Sequence, residues 1–324
     1  MPGQVGAASP EELSAAAAAR ARGIVSRSEP MAASSRSEPL LVAEDVRVDV
    51  DGVPACDGLS FRTRGEHVLV LGAPRALFDA TTGLSSVVRG ALSVRGVAAR
   101  DAAARGIVAG ADAEPPVPPR WTVSEYVSWS ARLAGVPAAS ARGGTDAALA
   151  KLQLGTMART PLSRLVPHAR RATIVAAALA TGAEVIVLED PLGGLPDEVA
   201  LTYAKVLADA LADRAWLVFA PRMPLASPLT QTSDEAIVAT ALRVEAQGAP
   251  AELAAAQRRF VARMSGPVDA IAPALAARGG KVEHHGAHLL VDLGSEVTTG
   301  ELVALCDGAG VAVIELVPVA RALS

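Results

Sequence analysis

Two adjacent carboxylates, Glu189 and Asp190, directly follow a continuous apolar run at residues 185–188. Such a run predicts a strand that is buried on both faces of a parallel sheet. In open α/β sheets, ligands collect at the carboxyl ends of the strands. Two acids at that place are able to hold Mg²⁺ through water and to polarise a water that attacks a nucleotide. The equally weighted alternative is a strand that ends in a solvated acidic turn.

A glycine follows a second buried strand, which is predicted at residues 67–71 and runs into Gly72. A strand that ends in glycine is the place where a phosphate-binding loop begins, with the pattern G-x-x-x-x-G-K-[ST]. The chain instead reads GAPRALFDATTGL from Gly72 onwards. Before this strand, residues 40–61 alternate apolar and polar side chains around Asp51-Gly52, which predicts an antiparallel hairpin.

The composition bounds the class of protein. A chain of 324 residues suggests about two domains, and at 51% hydrophobic and 3% aromatic residues its core is built from Ala, Val and Leu. The net charge is −4 and no basic patch stands out, which argues against nucleic acid as the main partner. Cys56 and Cys306 match no metal-binding spacing, so we expect two buried free thiols in a reducing compartment.

The N-terminal residues carry no secretory signal pattern, and the most apolar window, residues 172–188, is interrupted by Glu184. We therefore expect a soluble cytoplasmic protein whose membrane contacts come through a partner. Residues 1–39 are poor in large apolar side chains and contain SRSEP twice, which predicts a disordered arm. One short helix is predicted at residues 10–22, with Ser9 as its N-cap. The alternative to a plain disordered arm is that the SRSEP repeat docks on a partner.

The segment around Glu189 and Asp190 resembles the Walker B strand and D-loop of ABC transporter ATPases, with the order of the acids inverted. The resemblance runs from about Leu40 to the C-terminus. It implies an α/β fold at residues 40–253: a P-loop NTPase-like domain with a mostly parallel sheet, an antiparallel β-subdomain and a helical subdomain. It also implies that Glu189 stands at the position of the magnesium ligand and Asp190 at that of the catalytic acid. Residues 122–137 resemble the entry to the helical subdomain, which contacts the membrane partner in this family.

The residues that hold the phosphates in the family are replaced in this chain. In a gapless alignment Leu77, Phe78 and Asp79 stand for the second Gly, the Lys and the Ser/Thr of the P-loop. If the loop instead carries a four-residue deletion, Arg75 stands near the Lys position. Gly72 and Arg75 are therefore the candidate nucleotide-binding residues, although neither alignment gives a P-loop.

Four further family motifs are also altered. Val50 replaces the aromatic residue that stacks on adenine, and Ala113 replaces the Gln that couples Mg²⁺ to the helical subdomain. Residues 166–169 read VPHA where the family has Ser-Gly-Gly-Gln, and Pro167 has no N–H to offer a phosphate. The strand predicted at residues 216–219 continues as Ala-Pro-Arg, where the family places a His on the γ-phosphate.

Residues 254–324 form a predicted second domain with the order β-α-β-β-α-β, a ferredoxin-like arrangement. It resembles the accessory domain of ATP-binding subunits in ABC-2 type exporters. The predicted strands are residues 260–264, 281–283, 288–292 and 311–316. The predicted helices are residues 268–278 and 298–308. His284, His285 and His288 cluster at a hairpin, where plain turn histidines are favoured over a metal site.

Losing one electrostatic or acid–base group typically lowers an enzyme's rate by about 10²–10³. With adenine stacking, phosphate cradle, signature contacts and His all missing, the sequence favours a pseudo-ATPase that acts as a structural or regulatory subunit of a membrane transport complex. Its implied partners are an intact ABC ATPase, in a head-to-tail dimer, and a membrane-spanning permease at the inner membrane. No cofactor is expected. The alternatives are an ATPase with a non-standard site, which would use Mg-ATP, and a free-standing scaffold.

Overall fold

The computed structural model describes residues 38–73, 75–256, 259–285, 288–294 and 296–318. The predicted N-terminal helix and both copies of SRSEP lie outside these residues, apart from the last two positions of the second copy. The described residues from Pro39 onwards belong to one compact unit. Within the described ranges, no helix is long and apolar enough to cross a bilayer.

Fourteen strands lie in the described part of the chain: β1 Leu41–Val50, β2 Val53–Arg62, β3 His67–Leu71, β4 Arg89–Val94, β5 Val97–Ala98, β6 Val108–Ala111, β7 Val185–Glu189, β8 Ala215–Ala220, β9 Glu235–Ala239, β10 Val244–Gly248, β11 Arg259–Ser265, β12 Lys281–His285, β13 His288–Asp292 and β14 Ala312–Pro318. The α-helices among the same residues are α1 Arg75–Thr81, α2 Ala99–Ala104, α3 Val123–Leu133, α4 Ala138–Lys151, α5 Pro167–Ala180, α6 Asp197–Leu211, α7 Pro228–Gln231, α8 Pro250–Ala256, α9 Ala272–Ala276 and α10 Thr299–Gly308.

The central sheet has the strand order β10-β9-β3-β8-β7-β6. All neighbouring pairs from β9 to β6 are parallel, and β10 adds to β9 as an antiparallel edge. The continuous apolar runs that predict doubly buried strands are the strands β3, β7 and β8. Glu189 is the last residue of β7.

Successive side chains of β7 enter different cores because they point to opposite faces of the sheet. Ile186 and Leu188 pack among residues of α3 to α6, which cover one face. Val185 and Val187 pack on the other face, against α1, α2 and a small antiparallel sheet of order β2-β1-β4-β5. One face of the sheet is therefore covered by α3 to α6, and the other by α1, α2 and the small antiparallel sheet.

The predicted hairpin is present as β1 and β2. Val50 and Val53 are paired, and the two residues between them, Asp51 and Gly52, both have positive φ, at 51° and 78°. A two-residue turn with two positive φ angles matches the twist of the flanking strands, which explains the Asp-Gly sequence.

The helical part of the fold begins at a capping box. The hydroxyl of Thr122 accepts a hydrogen bond from the Glu125 N–H, and the Glu125 carboxylate accepts one from the Thr122 N–H. This arrangement satisfies two backbone N–H donors at the start of α3. The buried side of α3 consists of Val123, Val127 and Ala131. The segment predicted to lead into a helical subdomain is thus locally well specified.

The C-terminal residues build a third core, whose buried members all lie between 260 and 311. Their strands pair only antiparallel, in the order β12-β13-β11-β14, and the elements follow one another as strand, helix, strand, strand, helix, strand. The helix predicted at residues 268–278 is wrong as a single element: a 3-10 turn, Val268–Ala270, precedes the short α9. Pro273 explains the break, because proline fits only the first turn of a helix. Assignment to the ferredoxin-like class stays a prediction.

We propose that residues 254–324 fold independently, because their core is built from their own side chains. A purified fragment should unfold cooperatively when followed by circular dichroism. Leu302→Ala, which truncates a fully buried side chain, should lower its free energy of unfolding by about 2–5 kcal/mol. The neighbouring Val303, 48% exposed on the same helix, is the control, and Val303→Ala should change it by less than about 0.5 kcal/mol. A fragment without a cooperative transition would contradict the proposal.

Candidate functional site

The candidate site lies at the carboxyl edge of the central sheet, where β3, β6 and β7 end. Glu189 ends β7, Asp112 is the first residue after β6, and Gly72 is the first residue after β3. Because parallel strands present their carboxyl ends at one edge, three segments remote in sequence meet here. The site is therefore built by the topology of the sheet.

The loop after β3 is held against the sheet. The Gly72 N–H donates a 2.9 Å hydrogen bond to the Ala220 carbonyl at the end of β8. Gly72 has a φ of 73°, and a Cβ added there would lie 2.7 Å from the Ala239 carbonyl oxygen, so only glycine fits. The first N–H of this loop is consequently used within the fold.

The Arg75 guanidinium is the centre of the site. One of its Nη atoms donates to both carboxylate oxygens of Glu189, at 3.0 and 3.2 Å. The other Nη atom donates to Asp112, and Nε lies 3.8 Å from a carboxylate oxygen of Asp79. A single cation thus meets carboxylates from α1, from the loop after β6 and from β7. The fork geometry of arginine suits this task, since its donors diverge in one plane.

Burial sets the ionisation of these carboxyls. It raises the pKa of Glu189 above its usual value, against the opposing effects of the Ala113 N–H, which donates at 3.1 Å, and of the Arg75 charge. Burial likewise raises the pKa of Asp79, and Arg75 again opposes the shift. The guanidinium therefore keeps two partly buried acids ionised that would otherwise bind protons more readily.

Leu77 and Phe78, which align with the second Gly and the Lys of a P-loop, point away from this site. Both are buried, and the Phe78 ring meets the Phe219 ring edge-on, with 6.1 Å between the centroids. The register of α1 explains this: Ala76, Leu77, Phe78 and Ala80 form its core side, while Arg75 and Asp79 share the outer one. The position expected to carry a phosphate-binding cation is part of the hydrophobic core.

Asp190 lies next to Glu189 in sequence but makes no hydrogen bond or ion pair with Arg75 among the described residues. It adopts a φ of 34°, and its N–H donates to the Phe219 carbonyl at 2.7 Å. Burial raises the pKa of its carboxyl, opposed by the Arg171 and Arg222 charges. The two adjacent acids thus face different surroundings: Glu189 meets Arg75, and Asp190 belongs to the turn that follows β7.

The turn after β7 is held by Arg171 of α5. This nearly buried guanidinium donates to the carbonyls of Pro191 and Gly193, at 3.3 and 2.6 Å, and to Glu114 at 3.4 Å. A Cβ at Gly193 would lie 1.9 Å from an Asp190 carboxylate oxygen, so the acid and the turn are tightly packed. Arg171 thereby connects the helix after the signature-like segment to the D-loop-like turn.

The signature-like segment begins α5 without a polar cap. Val166 is the N-cap residue, half exposed and with no side-chain hydrogen bond, and Pro167 follows at the start of the helix. Neither side chain offers a donor to an anion, and proline has no N–H. The residue at the adenine-stacking position, Val50, has no aromatic ring and is 47% exposed beside the hairpin turn.

The structure brings two of the four predicted site residues together, Arg75 and Glu189, and places Gly72 and Asp190 beside them in other interactions. Asp112 was missed by the sequence analysis. Its signal was available, because an acid directly after a parallel strand falls at the same edge as Glu189. For the histidines of the C-terminal hairpin, no group of three or more His, Cys, Asp or Glu able to hold a metal is present among the described residues.

No protein-family model matches the chain, and no protein of curated function matches it in sequence. Solved structures do resemble it. CbiO1 from Clostridium perfringens, part of the ABC transporter complex CbiONQ, superposes with a TM-score of 0.58 and 19% identity, over 68% of this chain and 92% of its own. MJ1267, an ATP-binding cassette of an ABC transporter, gives 0.56 and 15%, over 66% and 92%. An ATP-binding subunit of an ABC transporter gives 0.54 and 16%, over 65% and 90%. At these identities the likeness shows the fold.

Replacing Arg75 by Gln should destabilise the protein most at neutral pH. The variant leaves three carboxylates without their cation, and we expect a loss of about 1–3 kcal/mol, because the pairs are partly exposed and therefore screened. Without the guanidinium, the already raised pKa values of Glu189 and Asp79 should rise further. A carboxyl whose pKa is higher in the folded than in the unfolded state binds its proton first in the folded state. The free energy of unfolding therefore rises as the pH falls towards that pKa.

The deficit of Arg75→Gln relative to the wild type should accordingly shrink between neutral pH and about pH 5. Thermal unfolding of both proteins across that range measures it. Arg100→Gln, a change at an exposed arginine of α2, is the matched control and should follow the wild type at every pH. A deficit for Arg75→Gln that does not vary with pH would show that the three acids do not depend on Arg75.

Proposed function

Starting from the fold of an ABC transporter ATP-binding subunit, which this chain has, we propose that it is a non-hydrolysing subunit with a structural or regulatory role in a membrane transport complex. The observation that carries the proposal is the Arg75 guanidinium on Glu189, Asp112 and Asp79. Mg²⁺ demands near-octahedral oxygen ligation, and the acids that could approach it are committed to an internal cation.

The residues present do not fit a Mg-ATP complex. A phosphate cradle needs free N–H groups and a cation that faces the phosphates. Here the Gly72 N–H bonds to Ala220, and Pro74, which lies outside the described residues, has no N–H by its chemistry. The side chain at the Lys position, Phe78, is buried. The basic side chain of α1, Arg75, is already paired with three carboxylates.

The side of the chain that would face a partner's nucleotide also lacks two groups that the resemblance would require of a signature segment. Val166, the N-cap of α5, has no hydroxyl, and Pro167 has no N–H. Each missing electrostatic group typically lowers a rate by about 10²–10³, so several together return hydrolysis towards the uncatalysed rate. The intact framework between these positions supports a role that depends on shape.

We further propose that the chain pairs head-to-tail with an intact ABC ATPase and docks on a membrane-spanning permease. A heterodimer would place the partner's P-loop opposite residues 166–169 of this chain and retain one ATP there. CbiO1, which has this fold, is itself part of a transporter complex. The protein would then lie on the cytoplasmic side of the inner membrane, held there by its partners.

We propose that the surface for the permease lies on the helical part of the fold. A groove of about 760 Å³ runs between α3 and α4, and Trp121 and Trp129 meet edge-on in it, with 6.0 Å between their ring centroids. Trp129 is 43% exposed, and the Arg132 guanidinium lies 5.2 Å from its centroid. Exposed Trp and Arg side chains in a concave surface are typical of interface anchors. A cytoplasmic helix of the permease is the occupant we propose.

The purified protein should not bind Mg-ATP in isothermal titration calorimetry, because the carboxylates are paired with Arg75 and the Lys position is in the core. The same titration with an intact ABC ATPase is the positive control. Micromolar affinity for this chain would overturn the proposal and favour the alternative of an ATPase with a non-standard site.

Native mass spectrometry of the complex isolated from its own cell should show one copy of this chain, one intact ABC ATPase and a permease. Trp129→Ala should lose the permease, since a buried aromatic anchor typically contributes about 2 kcal/mol or more to an interface. Leu242→Ala, at a 67% exposed apolar residue between β9 and β10, is the control and should keep it. A complex that lacks an intact ATPase would contradict the pairing, and purification of this chain alone would favour a free-standing scaffold.

A further inference from the structure

The helical part of the fold carries an excess of positive charge that the net charge of the chain conceals. Residues 120–170, which contain α3 and α4, hold seven Lys or Arg and only two Asp or Glu, although the whole chain has a net charge of −4. A region whose charge has one sign attracts partners of the opposite sign. The helical part is therefore suited to an acidic partner.

Three of these arginines line the groove that holds Trp121 and Trp129. Arg132 comes from the last turn of α3, Arg142 from α4, and Arg159 from the loop that follows α4. Among the described residues, none of these three guanidinium groups forms an ion pair. Each guanidinium has donors in a fork that matches a carboxylate. Three such donors, from three segments, are thus available to a partner in the groove.

Two acids also line the groove and restrict what can enter it. The Glu125 carboxylate accepts hydrogen bonds from the Thr122 N–H and hydroxyl, both at 2.8 Å, and Asp146 lies on α4, one turn after Arg142. A nucleic-acid strand carries a phosphate on every nucleotide and would meet these acids as well as the arginines. A protein segment is able to place single carboxylates opposite the arginines and apolar side chains on the tryptophans.

We propose that the permease segment in this groove is an acidic amphipathic helix, with carboxylates on Arg132, Arg142 and Arg159 and an apolar stripe on Trp121 and Trp129. The inference rests on the docking to a permease proposed above, and it adds the chemistry of the docking segment. Helices that bind in grooves present anchor side chains three or four residues apart, on one face. Arginine and carboxylate form two parallel hydrogen bonds, so these contacts also fix the register of the helix.

The Arg132 guanidinium is already positioned for such a contact. It lies 5.2 Å from the centroid of the Trp129 ring, a distance at which the ring attracts the cation. A side chain that is held in place before binding loses less conformational entropy when its partner arrives. The pair therefore offers the incoming helix an apolar surface and a charged anchor side by side.

A cross-linking experiment identifies the groups that meet the arginines. Arg142→Lys keeps the positive charge and introduces an amine, which a carbodiimide joins to a carboxylate in direct contact with it. The complex is isolated from its own cell through this variant chain, treated with the carbodiimide, digested and analysed by mass spectrometry. We expect a cross-link between position 142 and a Glu or Asp of the permease. Arg100→Lys, at an exposed arginine of α2, is the control and should give none to the permease.

Removing the charges tests their contribution to docking. Arg132→Gln, Arg142→Gln and Arg159→Gln together should lower the recovery of the permease about tenfold or more, because its carboxylates would be left unpaired. The intact ATPase should remain. The melting temperature of the isolated variant should equal that of the wild type, since no ion pair within the described chain is broken. The wild-type complex should release the permease in about 1 M NaCl, where charges are screened within about 3 Å.

The outcomes separate this inference from the function on which it rests. A wild-type complex without a permease would overturn both. A permease that stays with the triple variant, or that is present but not cross-linked through Arg142→Lys, would overturn the acidic helix alone. Binding of the isolated wild-type chain to phosphatidylglycerol vesicles, if the triple variant loses it, would assign the arginines to a membrane surface and would also overturn the acidic helix.

Discussion

The carboxyl edge of the central sheet depends on a single cation. Glu189, Asp112 and Asp79 come from three segments that are far apart in the chain, and each would raise the pKa of the others if left alone. The Arg75 guanidinium lies among all three and holds the start of α1 to the ends of β6 and β7. The three segments are therefore linked at this edge by one side chain of the chain itself.

The position of α1 follows from the same constraint. With Arg75 turned towards the acids, the helix presents Leu77 and Phe78 to the core beneath the β-subdomain. Burying those side chains stabilises the fold, and the ion pairs on the outer side of the helix fix its rotation. Arg171 does the equivalent work on the other side of Glu189, where it holds the Asp190 turn through two backbone carbonyls. Two arginines thus hold together the segments on either side of Glu189.

Local patterns were enough to predict much of this fold. The Asp51-Gly52 turn, the apolar strand β7 and the helix α10 behind Thr298 each depend on residues within a few positions of one another. The strand order places Asp112 at the edge of the sheet, but local patterns could not predict that it pairs with Arg75 or that Arg171 pairs with Gly193, because these partners lie 37 and 22 residues away. The burial of Phe78 could not be predicted either. It depends on how the helix is rotated about its axis, and an alignment to a motif gives no information about that rotation.

The buried ring of Phe78 constrains how this chain can evolve. Truncating a core phenylalanine costs about 3–5 kcal/mol, which is a large share of the 5–15 kcal/mol by which domains are typically stable. Introducing a lysine there would add a charge among apolar side chains, and Arg75 would still cover the acids. A single substitution of Phe78 by lysine would therefore weaken the core without freeing Glu189, Asp112 or Asp79 from Arg75.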